Sequence, residues 1–269
     1  MYKFLILLAL FSGTAMAEKL SFQENLNLST DRISALDVIN GAGDIDISSY
    51  DGQDIQVNAT IESKKYRSMK RFKEVFERDM VFALDRESEY AVLRGHSKPD
   101  LRKSPEIQIH LDIQIPADLD VDIDDGSGAI RVTRLNGFLE IEDGSGDIQI
   151  TEVSNSIEIE DGSGSISITD CQGTIDIDDG SGDITLNRVN GHKEIEDGSG
   201  DITVKNSSGD VDIDDGSGDI TLADVNGAAV IEDGSGDIYI DALGGTLDIK
   251  SAGSGKVIID GENRTQEFK

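Results

Sequence analysis

The chain has 269 residues and a formal net charge of −30 at pH 7, with 54 acidic side chains against 24 basic ones. It holds 29 Gly, no Trp and few other aromatics, which disfavours an ordinary globular sandwich and points to a backbone-dominated repeat. A surface this acidic repels phosphates, so nucleic acid is excluded as a partner.

In chain order, the first element is an export signal. Lys3 precedes an apolar run over residues 4–11, followed by Ala15, Met16 and Ala17, the small-x-small pattern cut by signal peptidase. A bilayer-spanning helix needs roughly twenty apolar residues, so residues 1–17 read as a cleaved signal peptide and the mature chain is expected to start at Glu18. No second apolar stretch and no cysteine at the cut suggest an anchor, and the expected address is the periplasm or the exterior. Cys171 is the only cysteine, so no intramolecular disulfide is expected.

Residues 18–118 read as an N-terminal cap with degenerate β repeats. The segment Ile39-Asn-Gly-Ala-Gly-Asp-Ile-Asp-Ile47 parallels later units, and strand-like runs follow over 55–61, 80–84, 90–93 and 107–115. Between them, residues 63–80 carry Tyr66, Met69, Phe72 and Phe76 at helical spacing. The same stretch bears Lys64, Lys65, Arg67, Lys70, Arg71 and Lys73. These are the candidates for contact with an anionic surface, as in a peripheral membrane helix, although packing on the solenoid itself is the preferred reading, with its acidic ridge as one place for it.

Residues 119–260 are a regular repeat. Asp-Gly-Ser-Gly starts at 125, 143, 161, 179, 197, 215 and 233, a period of 18 with no insertion. Each unit reads strand, turn, strand, turn. Ile recurs at 123, 141, 159, 177, 195, 213, 231 and 249, and again at 130, 148, 166, 184, 202, 220 and 238, so these are core columns. Cys171 shares an inward column with Leu135, Val153, Val189 and Val225 and is expected to be inert. Lys193 breaks an aliphatic column and should either snorkel or mark a distortion. The column Gly137, Asn155, Gly173, Gly191, Gly209, Gly227, Gly245 is expected to supply positive φ at a chain reversal. The fold class is all-β, a single-stranded parallel β-helix of about eight coils, and residues 261–269 read as a polar tail.

A signal peptide, degenerate leading strands, a strand ending Ile113-Gln-Ile-Pro116 and stacked Gly-Asp-Ile-x-Ile units together resemble the bacterial "putative adhesin" family of unknown function. The resemblance implies a right-handed solenoid in the cell envelope and carries over no catalytic residues.

Residues 118–250 hold 33 acidic and only 6 basic residues. Asp and Glu stack at 124, 142, 160, 178, 196, 214 and 232, beside the Asp column starting at 125 and another at 147, 183, 201, 219 and 237. Unit charges about 4.8 Å apart repel by roughly 1 kcal/mol even in water. Calcium, which takes six to eight oxygens, is the candidate cofactor, with Asp143, Asp147, Asp179, Asp183, Asp197, Asp201, Asp215 and Asp219 as candidate ligands. The favoured reading of the ladders is nevertheless a solvated acidic face that keeps the repeat soluble and prevents lateral aggregation.

The function favoured by this pattern is a non-enzymatic envelope scaffold, structural or adhesin-like, whose partner is another envelope protein or a polysaccharide. A calcium-binding β-roll-like module is the alternative. A polysaccharide-acting β-helix enzyme is the least favoured, because the repeat lacks cleft-forming insertions and His96, His110 and His192 have no partner pattern.

Overall fold

The period of 18 divides into two short strands whose alternate residues face inward, and two flat sheets result, one on each side of a thin core. The structure, a computed structural model, describes residues 19–268; the expected signal peptide lies outside them. No helix among the described residues is long and apolar enough to cross a membrane.

The leading strands are β1 (Leu20–Ser29), β2 (Ala35–Asn40), β3 (Ile45–Ser49) and β4 (Asp54–Ser63). Helix α1 (Met69–Asp79) follows, then β5 (Met80–Glu87), β6 (Tyr90–Ser97) and β7 (Gln108–Ile115). With β8 (Asp120–Asp125) and β9 (Ile130–Thr133) the regular coils begin. Seven further strand pairs follow, the last being β22 (Leu247–Ala252) and β23 (Val257–Ile259), and β24 (Glu262–Asn263) closes the chain. The first strands of the coils stack in an 11-stranded sheet, and the second strands in a 13-stranded one. The eight regular coils agree with the sequence expectation.

Register is in phase: Ile123 pairs with Ile141 and Ile141 with Ile159, as Ile130 pairs with Ile148 and Ile148 with Ile166. Every Ile of both columns is buried. Enclosing such a side chain contributes roughly 1.5–3 kcal/mol relative to exposure, and the interstrand bonds to the rungs on either side satisfy the backbone. One extra residue enters the last coil, where the register shifts beside Glu232 and Ile238 pairs with Val257.

The N-terminal segment is more than a cap. β2 and β3 form a full coil whose Val38 lies in register with Ile123 and whose Ile45 lies in register with Ile130. On their other side lie β6 and β7, also parallel. The coil made first is thus sandwiched between coils made later. Only beyond β6 and β7 do the strands turn antiparallel: β4 on β7, β1 on β4, and β5 on β6.

The helix is shorter than its sequence pattern, covering Met69–Asp79. Residues before it are tied to another segment: Tyr66 donates its hydroxyl to the Pro105 carbonyl at 2.9 Å, and Ser63 donates to Glu106 O at 2.7 Å. Phe72 and Val75 are buried, and Phe22 of β1 meets Phe72 and Phe76 edge-on at 5.1 and 5.3 Å between centroids. The helix therefore packs on the terminal strands and not on the acidic ridge, because its apolar face is matched there. At the other end, the expected polar tail folds back. β24 pairs antiparallel with β23, and buried Thr265 accepts the Val257 N–H at 2.9 Å.

The second turn of each coil also departs from expectation. Its unbroken left-handed column is not the glycines but Arg134, Glu152, Asp170, Arg188, Asn206, Asp224, Ala242 and Asp260, with φ between 49° and 61°. In the glycine column only Gly173, Gly191 and Gly209 take positive φ. Close approach explains the rest: a Cβ on Gly137 would lie 2.0 Å from the Leu119 carbonyl oxygen.

Two polar residues sit in the core. Lys193 is fully buried and neither snorkels nor distorts its strand, since its Nζ turns back to donate to Gly191 O at 2.6 Å and Ser208 O at 2.9 Å. Burial pushes its pKa down to about 8. Cys171 is buried, receives the Val153 N–H at 3.4 Å and donates to Thr169 O at 3.3 Å. Ser207, two column members further on, makes the equivalent pair of bonds to Val189 N and Lys205 O.

Candidate functional site

The acidic residues occupy three separate environments, and the alternation of a β-strand decides which. In β8, Asp122 and Asp124 point out while Asp125 points in, as alternate residues do until the strand gives way to the turn. Repeated over the coils, this produces two outward rows and one inward row.

The outward rows cover the face of the 11-stranded sheet. One runs Asp122, Glu140, Glu158, Asp176, Glu194 and Asp212; the other Asp124, Glu142, Glu160, Asp178, Glu196, Asp214 and Glu232. Sequence reasoning recognised the second row and missed the first, whose signal was the same 18-residue spacing two positions earlier. Among the described residues, no ion pair involves either row. Partial burial, together with like-charged neighbours, raises the pKa of Asp122 and of Glu140 above the ordinary carboxylate value. The 13-stranded sheet carries Arg131, Gln149, Ser167, Thr185, Thr203, Thr221 and Tyr239 in a corresponding outward row, so the opposite face is almost neutral.

The inward row is Asp125, Asp143, Asp161, Asp179, Asp197, Asp215 and Asp233, all at most 5% exposed. In the middle five, Oδ1 accepts the N–H of the Ser two residues on, at 2.8–3.1 Å, a local turn bond that Asp makes readily. Their Oδ2 atoms are enclosed without a hydrogen bond, and at Asp125 and Asp233 neither oxygen has one. Burial raises the pKa to about 7 at Asp125 and Asp215 and to about 6 at Asp161, Asp179, Asp197 and Asp233; Asp143 is raised as well.

The candidate metal ligands divide between two environments. Asp143, Asp179, Asp197 and Asp215 belong to the inward row, whereas Asp147, Asp183, Asp201 and Asp219 are exposed on the far side of the turn. The latter hold the coils together: Oδ1 of Asp147 accepts Ser165 N–H, that of Asp183 accepts Asp201 N–H, that of Asp201 accepts Asp219 N–H, and that of Asp219 accepts Asp237 N–H. Among the described residues, no group of three or more His, Cys, Asp or Glu converges on one metal position.

The basic candidates Lys64, Lys65, Arg67, Lys70, Arg71 and Lys73 are all exposed. Lys65 pairs with Glu106 at 2.9 Å, Arg71 meets Glu74 at 3.5 Å, and Lys73 lies over the Phe22 ring at 4.7 Å. Lys64, Arg67 and Lys70 make no ion pair among the described residues. Because the helix spends its apolar face on Phe22 and the terminal strands, no apolar stripe accompanies these charges to form a lipid-insertion surface. At the junction of cap and coils, His110 lies 3.2 Å from Glu62 and 3.2 Å from Asp44, and Glu62 also meets Lys19. Burial opposes the Glu62 charge, yet these donors hold its pKa below the ordinary value. This cluster ties the strands together.

Fold and surface together define a repeat-built β-solenoid with one strongly anionic face. Residues 33–230 match the family model Toastrack DUF4097, and the chain belongs to that family. No curated protein matches the sequence. Among solved structures, a "putative lipid binding protein" from Parabacteroides distasonis is 16% identical with a TM-score of 0.53, over 89% of this chain and 95% of that one. A "putative adhesin" from the same organism is 13% identical, TM-score 0.47, over 88% and 97%. A "putative adhesin" from Bacteroides fragilis is 13% identical, TM-score 0.45, over 87% and 99%. At such identities the likeness concerns the fold.

Proposed function

We propose that the protein is a non-enzymatic, exported envelope component, an adhesin-like scaffold that engages a cationic segment of another envelope protein through its acidic sheet. The observation that carries this reading is the pair of outward carboxylate rows, thirteen side chains on one flat sheet and none in an ion pair among the described residues. Rigid spacing holds these charges together against their repulsion, and a cationic chain laid along the rungs relieves it at many points at once. The adhesin names given to similar structures fit a surface role of this kind. The signal sequence supports export.

The reading is tested by biolayer interferometry with a lysine-rich peptide as probe. Binding should weaken at least about tenfold between 50 and 200 mM salt, as multi-contact charge pairing does. The triple variant E158Q/D176N/E194Q should weaken it by a similar factor at low salt. Undiminished binding by that variant would exclude the sheet face as the site.

A further inference from the structure

The inward aspartates pose a problem that their local turn bonds do not solve. Seven carboxylates stand in one column, each at most 5% exposed and each with at least one enclosed oxygen lacking a donor. No Lys, Arg or His is paired with any of them among the described residues. Buried carboxylates without a countercharge are among the most costly groups a fold can enclose, and a repeated one is not an isolated accident of packing. Serine or asparagine would make the same bond to the Ser N–H without charge, so the turn bond alone does not call for aspartate.

The column borders solvent in a particular way. Asp125, Asp143 and Asp161 line one groove together with the outward Asp124, Glu142, Glu160 and Asp178 and the turn glycines Gly144 and Gly162. The groove is wholly anionic in its charged side chains. Equivalent atoms of neighbouring rungs repeat at about 4.8 Å. An ion midway between two such oxygens is therefore about 2.4 Å from each, within the 2.3–2.6 Å that calcium takes and longer than the roughly 2.0–2.1 Å that magnesium requires.

We propose that the aspartate column of the Asp-Gly-Ser-Gly turn is a linear calcium site, with one ion between each adjacent pair of rungs held by the free carboxylate oxygens. Oxygens of the turn glycines in the same groove complete the shell. The arrangement is pairwise and axial, so it has no point at which three carboxylates meet. The groove borders the outward row at Asp124, Glu142, Glu160 and Asp178, but the ligands are the inward carboxylates, so the site does not depend on the sheet-face reading.

The test uses the whole mature chain, stripped with chelator and titrated with calcium chloride at pH 7.5 and fixed ionic strength. Calorimetry should count ions approaching one per gap, and the melting temperature should rise by about 5 °C beyond the effect of magnesium chloride. The variant D161N/D179N/D197N keeps the acceptor for the Ser N–H and should lose the ions of the four gaps it touches. The outward variant E158Q/D176N/E194Q, whose residues do not line the groove, should retain the full count and still show preference for calcium over magnesium. The proposal is overturned if calcium and magnesium act alike, if the outward variant loses the ions, or if acidification alone stabilises the chain and calcium adds nothing. Should the inward variant not fold, the outward variant and the calcium preference decide the matter. Lysine-peptide binding that fails while calcium binding persists removes the sheet-face reading alone.

Discussion

The two turns of each coil solve the same geometric problem with different chemistry. The first, Asp-Gly-Ser-Gly, hardly varies over seven coils, whereas the second passes through Arg134, Glu152, Asp170, Arg188, Asn206 and Asp224 at one position. At the glycines of the first turn the backbone is packed against the preceding rung, so a side chain there has nowhere to go. In the second, the residue in the left-handed conformation points to solvent and its N–H is satisfied by the rung above, as Arg134 N–H is by Thr151 O at 3.0 Å. Left-handed φ costs roughly 1–2 kcal/mol per non-glycine residue, and the coil tolerates it because the ladder on both sides determines the path. Invariance at the glycines of this turn thus marks contact with the neighbouring coil.

The sharpest way to break this comparison is Gly164→Ala in the first turn. The new Cβ would lie 1.8 Å from the Gly146 carbonyl oxygen, and φ there is +146°. The expected cost is about 4 kcal/mol or more, roughly 10 °C in melting temperature by circular dichroism. A melting point within about 2 °C of the parent would sink the packing argument.

A second effect belongs to the inward aspartates of the same turn. Their folded pKa values of about 6 to 7 lie above the ordinary value of 3.8. The folded chain therefore binds more protons than the unfolded chain between about pH 4 and 7, and its stability must fall as pH rises through that window. Melting in chelated buffer should be highest near the acidic end and decline toward pH 8. The D161N/D179N/D197N variant should flatten the decline, and an unchanged slope would show that other groups cause it.

Beside the second turn, Lys193 reverses the sign. Its folded pKa, about 8, lies below 10.5, so the folded chain binds fewer protons between those values and stability rises with pH there. Lys193→Met should remove that slope and stabilise the protein by about 2 kcal/mol at pH 7, read from urea melts at pH 7 and 9.5. Destabilisation at pH 7 would show that the two carbonyl bonds outweigh the burial of charge.

The period, the core columns and the number of regular coils were legible because an 18-residue repeat writes the same inward choice at Ile123, Ile141 and Ile159 each time. The candidate site was half legible. Asp143 and Asp147 flank one turn in the sequence, yet strand alternation and chain reversal send them to opposite sides, and local spacing does not record that. Row position was lost at Asp122 and Glu140 for a simpler reason: alternating acidic residues look alike until one knows which share a face. Lys193 defied its pattern because the carbonyls that receive it, Gly191 O and Ser208 O, become neighbours only after stacking. The second-turn left-handed column was invisible because arginine and glutamate are poor signals of positive φ.

The sandwiched N-terminal coil has a consequence for how the molecule assembles. Contacts along the rod join residues about 18 apart in sequence, whereas Gln56 of β4 pairs with Gln114 of β7 across 58 residues. Loop closure grows as the logarithm of length, and this difference amounts to about 1 kcal/mol. Rods of short, uniform sequence separation fold by adding one rung to the last. The end bearing β1, β4 and β5 must instead wait for its own later strands to return. The seam between nascent coil and returning strands is therefore the last part of the protein to close and, by the same token, the first place from which it opens.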